Sequence, residues 1–149
     1  MKICLICSTG GHLLSLYHLR EFWERYPRFW VTFEGKDAED ILQGEKVYRA
    51  YSPTNRNIWN FFRNLFLAVK ILTKERPEII FSTGAGICVP FFYIARLFRM
   101  KTVYIELFTR VNSLSLSAKL IYPFANHLLV QWPDLAKKYR KTKYEGQII

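Results

Sequence analysis

Short apolar runs, bounded by glycine, proline or charge, alternate along this chain with longer stretches whose apolar residues recur every three or four positions. The short runs predict strands at 2–7, 28–34, 46–50, 78–82, 101–106 and 127–131. The longer stretches predict helices at 12–26, 37–43, 57–75, 87–99, 114–124 and 133–141. Strand and helix in alternation imply an α/β fold, a Rossmann-like parallel sheet with helices on both faces, with ligands beyond the carboxyl ends of the strands. By that rule the loops at 8–12, 83–86 and 106–112 share one edge of the sheet.

The helix predicted at 57–75 carries more apolar residues than one buried face needs. At about 100° per residue, Ile58, Phe61, Phe62, Leu65, Ala68, Val69 and Leu72 make the expected core stripe. Arg63, Lys70 and Lys74 fall within an arc of about 40°, bordered by Trp59 and Phe66 on one side and Leu67 on the other, as in a helix lying in a bilayer interface. The following helix adds Phe91, Phe92, Tyr93, Leu97 and Phe98 beside Arg96, Arg99 and Lys101. Trp59, Phe66, Arg63, Lys70, Lys74, Arg96 and Arg99 are the candidate contacts with an anionic membrane surface. Two heavily buried helices with a solvated basic edge are the plain alternative.

Length and composition narrow the class. The 149 residues correspond to one domain, 1–149, and a content of 50% hydrophobic and 17% aromatic residues excludes a disordered chain. A net charge of +10 and a pI near 9.7 favour anionic lipid, phosphorylated ligands or polyanions. Cys4 and Cys7 have C-x-x-C spacing, yet on a strand they point to opposite faces and no second pair follows. Buried free thiols in a reducing compartment are expected, with no metal and no cofactor. Residues 1–7 run straight into glycines, so no signal peptide is expected, and glycines and Pro90 are expected to break the uncharged run at 79–95 into a strand and a loop. Lys137, Lys138, Arg140, Lys141 and Lys143 read as a solvated face or a nucleic-acid patch. No nucleic-acid-binding motif accompanies them, so nucleic acid is not an expected partner.

The loops hold the candidate chemistry. Gly10 and Gly11 follow an apolar strand and lead into a helix, an arrangement that admits an anion, and His12 presents a titratable ring to it. The spacing matches neither a dinucleotide fingerprint nor a P-loop, and a tight turn with a capping histidine is the alternative. Gly84 and Gly86 repeat the arrangement after the 78–82 strand, where helix-start geometry is the alternative. Glu106 ends an apolar strand, where a carboxylate must be exposed, paired or functional. It either pairs with Arg110 or holds a sugar hydroxyl or a catalytic group.

Taken in order, Ser8-Thr9-Gly10-Gly11-His12, Ser82-Thr83-Gly84-Ala85-Gly86, Tyr104-Ile105-Glu106, Arg110-Val111-Asn112-Ser113-Leu114-Ser115, Lys119-Leu120-Ile121-Tyr122-Pro123 and Val130-Gln131-Trp132-Pro133-Asp134-Leu135 resemble one family. It is the Alg-fourteen/PssD/CpsF family, the membrane-associated subunits of split GT-B glycosyltransferases. The resemblance implies a fold equivalent to the N-terminal half of a GT-B, MurG-like transferase. It also implies an Alg-thirteen/PssE/CpsG-like partner chain that binds the UDP-sugar. The implied reaction is an inverting, metal-independent transfer to a polyprenyl-diphosphate-linked sugar, for bacterial capsule or exopolysaccharide, at the cytoplasmic face of the plasma membrane. Carried over, His12 is the candidate base or a diphosphate contact, and Glu106 positions the acceptor sugar or the base. Gly10, Gly11, Thr83, Gly84, Gly86, Arg110 and Asn112 are the substrate or diphosphate contacts. The rivals are a non-catalytic anchor and activator of the partner, and a basic nucleic-acid-binding module.

Overall fold

The computed structural model describes residues 1–148. Seven strands, β1 (Ile3–Cys7), β2 (Arg28–Thr32), β3 (Val47–Arg49), β4 (Ile79–Gly84), β5 (Lys101–Ile105), β6 (His127–Val130) and β7 (Thr142–Tyr144), pair in parallel in the order β3-β2-β1-β4-β5-β6-β7. The helices are α1 (Gly11–Tyr17), α2 (Arg20–Trp23), α3 (Lys36–Ile41), α4 (Ile58–Glu75), α5 (Cys88–Leu97), α6 (Leu116–Ile121) and α7 (Pro133–Lys138). The chain winds from β1 to β3, crosses back through α4, and winds the other way from β4 to β7. Strand order therefore reverses between β1 and β4, the place where open α/β sheets bind ligands.

Both faces of the sheet are covered, as the alternation predicted. Leu13, Leu16, Trp23, Ala38 and Leu42 pack on Ile3, Leu5, Cys7 and Trp30 on one face. On the other, Ala68, Ile71, Leu72, Phe91, Phe92, Ala118 and Leu135 pack with Cys4, Ile6, Phe29, Val31, Ile80 and Tyr104. Two covered faces explain why β1 is one unbroken apolar run. Cys4 and Cys7 fall on opposite faces, both as buried free thiols, and burial raises the pKa of each. Burial pushes the Cys88 thiol up to about 12.

Three departures from the predicted elements have physical causes. The helix predicted at 12–26 breaks between α1 and α2, because the Leu16 carbonyl accepts the indole N–H of Trp23 (2.9 Å) and a tight bond from the Leu19 N–H (3.2 Å). Trp23 thereby folds back edge-on to Trp30, with ring centroids 5.3 Å apart. The helix predicted at 133–141 stops at Lys138 and the basic stretch runs on into β7, because the Thr142 hydroxyl donates to the Tyr139 carbonyl at 2.7 Å and turns the chain into the strand.

The third departure is the orientation of α4. Its side chains in the core are Asn60, Asn64, Ala68, Ile71, Leu72 and Glu75, so the predicted core residues Ile58, Phe62 and Val69 face outward. Each buried polar group has partners, which offsets its desolvation. The Asn60 amide donates to the Pro53 carbonyl (2.8 Å), and Asn64 accepts from the Tyr51 N–H (2.9 Å) and donates to the Tyr51 carbonyl (3.0 Å). Glu75 binds Lys2, Lys46 and the Tyr48 hydroxyl. The consequence is an exposed row on α4 of Ile58 (77%), Trp59 (72%), Phe62 (49%), Phe66 (75%) and Val69 (39%). Arg63, Lys70 and Lys74 are exposed beside it.

Candidate functional site

A cleft of about 820 Å³ opens beyond the carboxyl ends of β1, β4 and β5. Ser8 and His12 line it from the β1–α1 loop, Ala85 and Gly86 from the β4–α5 loop, and Glu106 and Arg110 from the stretch after β5. The segment before α4, 53–57, forms a further wall that the sequence did not announce. Ile58 with Leu116 and Leu120 of α6 form an apolar rim, so the exposed row of α4 begins at the cleft. A second cavity of about 580 Å³ lies at the opposite end of the sheet, between Leu72, Arg76, Phe98, Arg99 and Lys101, and holds none of the candidate catalytic groups.

His12 is fixed by a reciprocal clamp with Thr83. Its Nδ1 lies 2.8 Å from the Thr83 carbonyl, and the Thr83 hydroxyl donates to the His12 carbonyl at 2.6 Å. A carbonyl only accepts, so Nδ1 carries the proton and Nε2 holds the lone pair of the neutral ring, an assignment made from the hydrogen-bond partner. Gly10, not His12, caps α1, which removes the capping-histidine alternative.

Several residues expected to contact ligand serve the scaffold. Thr83 is buried and occupied by the clamp. Gly84 has φ +112, and a Cβ there would stand 2.5 Å from the Tyr104 hydroxyl and 3.2 Å from His12 Cε1. It lets ring and strand approach rather than binding phosphate, and its N–H donates to Ser82 Oγ at 3.0 Å. The Gly10 N–H donates to the Asp37 carboxylate at 2.7 Å, so an anion already holds the donor assigned to diphosphate. Gly11 is exposed at the first turn of α1. Gly86 fits closely under Thr54, at 3.1 Å from a built Cβ. Asn112 lies outside the cleft, its carbonyl accepting from Lys138 at 2.8 Å.

Glu106 is buried beside the cleft and accepts from the main-chain N–H of Ser115 (2.8 Å) and Leu107 (3.2 Å). Both oxygens hold the 107–115 loop, and the pair with Arg110, one of the two alternatives, does not form. Ser115 in turn caps α6 through the Ala118 N–H (3.2 Å) and meets the Tyr104 hydroxyl (3.1 Å). Arg110 is exposed at the cleft. Of the other basic candidates, Arg63 stacks over the Tyr51 ring at 3.8 Å, while Arg99 sits with Thr73 and Arg76 at the last turn of α4, away from the cleft. In the basic stretch near β7, Lys138 and Lys141 donate to main-chain carbonyls instead of forming a free patch. Among the described residues no three His, Cys, Asp or Glu side chains gather as a metal set, and no helix is long and apolar enough to cross a membrane.

The family model for oligosaccharide biosynthesis protein Alg14-like chains matches residues 6–148. This chain belongs to the Alg14 family. Among curated Alg14 relatives, each named a UDP-N-acetylglucosamine transferase subunit, that of Candida albicans is 41% identical over 99% of this chain and 78% of its own length. That of Yarrowia lipolytica is 39% identical over 74% of this chain, which spans about half (53%) of the relative. The human protein is 30% identical over the whole chain and 83% of its own length. Among solved structures, Acinetobacter baumannii MurG superposes with a TM-score of 0.78 at 12% identity, covering 97% of this chain and 45% of MurG. The UDP co-structure of Staphylococcus aureus MnaA gives 0.77 at 13%, covering 99% and 45%. These likenesses show that the fold of this Alg14-family chain is that of one half of GT-B proteins.

Proposed function

We propose that this chain is the membrane-seated, acceptor-binding subunit of a two-chain inverting glycosyltransferase. The observation that carries the reading is continuity: the exposed apolar row of α4 runs into a cleft whose polar end holds the Nε2 of His12. An acceptor with a polyprenyl tail and a diphosphate-linked sugar has apolar and polar ends in that order. In the proposed step the acceptor hydroxyl gives its proton to Nε2 as its oxygen bonds to the anomeric carbon. The bond from that carbon to the nucleotide breaks, and UDP leaves with the electron pair. Glu106 acts as a positioning residue, through the loop that carries Arg110 and Ser115. A partner chain supplies the UDP-sugar wall of the cleft, and the names of the relatives make UDP-N-acetylglucosamine the first donor to test. The finer setting, capsule or exopolysaccharide assembly at the cytoplasmic face of a bacterial plasma membrane, rests on the sequence resemblance alone.

The test is transfer by the two-chain complex on vesicles carrying the lipid-linked acceptor. His12→Ala is expected to lower kcat at least 100-fold with little change in vesicle binding. Glu106→Gln is expected to lower it less. A competing anchor-only reading draws support from Glu106, whose oxygens are committed to main-chain N–H groups. Near-normal turnover in both variants would select it.

A further inference from the structure

We infer that Arg56 and Arg110 form a clamp for the diphosphate of a lipid-linked ligand. The two residues reach the same cleft from separate loops, before α4 and after β5. The inference rests on the acceptor reading above and changes where the acceptor is held. The glycine turn after β1 is a poor diphosphate seat in this chain, because the Asp37 carboxylate sits 2.7 Å from the Gly10 nitrogen and would repel a second anion. The cleft's cationic groups lie elsewhere. Among the described residues neither Arg56 nor Arg110 has an ion pair or a side-chain hydrogen bond, whereas Arg28 grips Glu45 through two nitrogens (2.9 and 2.6 Å) and Arg49 donates to the Phe33 carbonyl at 2.7 Å. A free guanidinium offers phosphate oxygens a planar fork of donors.

Position supports the assignment. Arg56 lies two residues before Ile58, so along this wall of the cleft a cation adjoins the apolar row, in the order tail then diphosphate. The loop is also held in place: Asn60 grips the Pro53 carbonyl, and Thr54 sits against Gly86. Among the described residues four non-glycine residues have positive φ. Arg76 and Arg99 follow the ends of α4 and α5, where that conformation is common, but Arg56 (φ 49) and Ala85 (φ 63) lie on cleft loops. A diphosphate could come from a lipid-linked acceptor or from UDP, and the apolar rim of Ile58, Leu116 and Leu120 selects the lipid.

The experiment titrates the full chain, in neutral detergent, with farnesyl diphosphate, farnesyl monophosphate, inorganic pyrophosphate and UDP, by calorimetry. The wild type is expected to bind farnesyl diphosphate at least about 10-fold more tightly than the other three. Arg56→Ala should weaken that binding about 10-fold, Arg56→Lys less, and Arg56→Ala/Arg110→Ala should remove the preference for diphosphate. Unchanged thermal unfolding of these exposed-site variants confirms that they are folded. Unaltered affinity in Arg56→Ala and Arg56→Lys overturns the clamp, and equal or tighter binding of UDP overturns its assignment to lipid. Diphosphate selectivity that depends on Arg56, in a chain whose two-chain complex transfers no sugar, leaves the clamp standing and removes the transferase reading. Transfer that is indifferent to Arg56 does the reverse.

Discussion

Replacing Trp59 and Phe66 by serine removes the two most exposed aromatic side chains of the row on α4, and its effect can be sized from the structure. Both are about three-quarters exposed, at 72% and 75%, so nearly the whole of each is available for burial in an interface. Full burial of a large apolar side chain is worth roughly 1.5–3 kcal/mol, and partial insertion at headgroup depth takes the lower end, about 1.5 each. The pair together contributes about 3 kcal/mol, or on the order of 100-fold in vesicle affinity. Folding stability should change by no more than about 0.5 kcal/mol, since neither residue touches the core. Co-sedimentation with vesicles, with and without anionic lipid at about 0.1 M salt, reads the first quantity, and thermal unfolding reads the second. Neutralising Arg63, Lys70 and Lys74 is a separate arm that should abolish the preference for anionic vesicles while sparing residual binding to neutral ones. Wild-type vesicle affinity in the double serine variant would refute the reasoning, leaving diffuse charge as the whole attraction.

Three further outcomes are expected. Gly84→Ala should cost about 3–4 kcal/mol in denaturant unfolding, from backbone strain at φ +112 and the clash 2.5 Å from the Tyr104 hydroxyl. Adding Tyr104→Phe should recover about 1 kcal/mol of it in a double-mutant cycle, and strict additivity would refute the clash. Glu75 has a pKa lowered from 4.5 to about 2: burial raises it, but hydrogen bonds from Lys2, Lys46 and Tyr48 and the charge of Lys2 outweigh burial. Its contribution is therefore fully present above pH 4.5 and lost as pH falls towards 2, on the order of 2 kcal/mol after screening by the partly exposed lysines. Glu75→Gln should be less stable than wild type at pH 7 by that amount, and an undiminished gap at pH 2.5 would exclude the linkage. Trp23→Phe should cost about 1–2 kcal/mol in the same unfolding assay, because it removes the bond to the Leu16 carbonyl while keeping most of the packing. Equal stability would show that packing alone breaks the α1–α2 helix.

The sheet was legible because buried parallel strands leave a coarse mark. Each of β1, β2, β4, β5 and β6 is a compact apolar run, and the face assignment of Cys4 and Cys7 follows from period two alone. β7 leaves no such mark: Thr142, Lys143 and Tyr144 are three polar-edged residues whose strand character comes from pairing with β6. The edge of the sheet was legible from its topology: His12 and Glu106, read from the ends of two strands, both line the cleft, though that placement does not by itself assign either role. The site was misread where glycine and threonine have several uses, since Gly84 and Thr83 shape the pocket from behind instead of lining it. Arg56 gave no signal, because its place on the cleft comes from a loop held against Gly86, a contact remote in sequence.

The misplaced face of α4 has the widest consequence. A period count turns the greasiest side of a helix inward, here Ile58, Phe61, Phe62, Leu65, Ala68, Val69 and Leu72; Ala68 and Leu72 are buried and Phe61 and Leu65 pack against the core, but Ile58, Phe62 and Val69 face outward. The fold instead buries Asn60, Asn64 and Glu75, whose partners lie in the segment before α4 and at the start of β1 and β3, where no helical window can see them. Burying three polar groups while exposing five large apolar ones gains little from hydration in an isolated chain, since paired polar groups about break even and apolar burial is forgone. The choice becomes favourable when the outward row has an apolar partner of its own. The exposed Arg63, Lys70 and Lys74 adjoin that row, and on the proposed reading the partner is an anionic lipid surface, apolar within and negative at its headgroups. On the proposed reading the helix divides its labour: Asn60 and Asn64 fasten the segment that leads to Arg56 at the cleft, and the apolar row is left for the membrane from which the proposed acceptor would come.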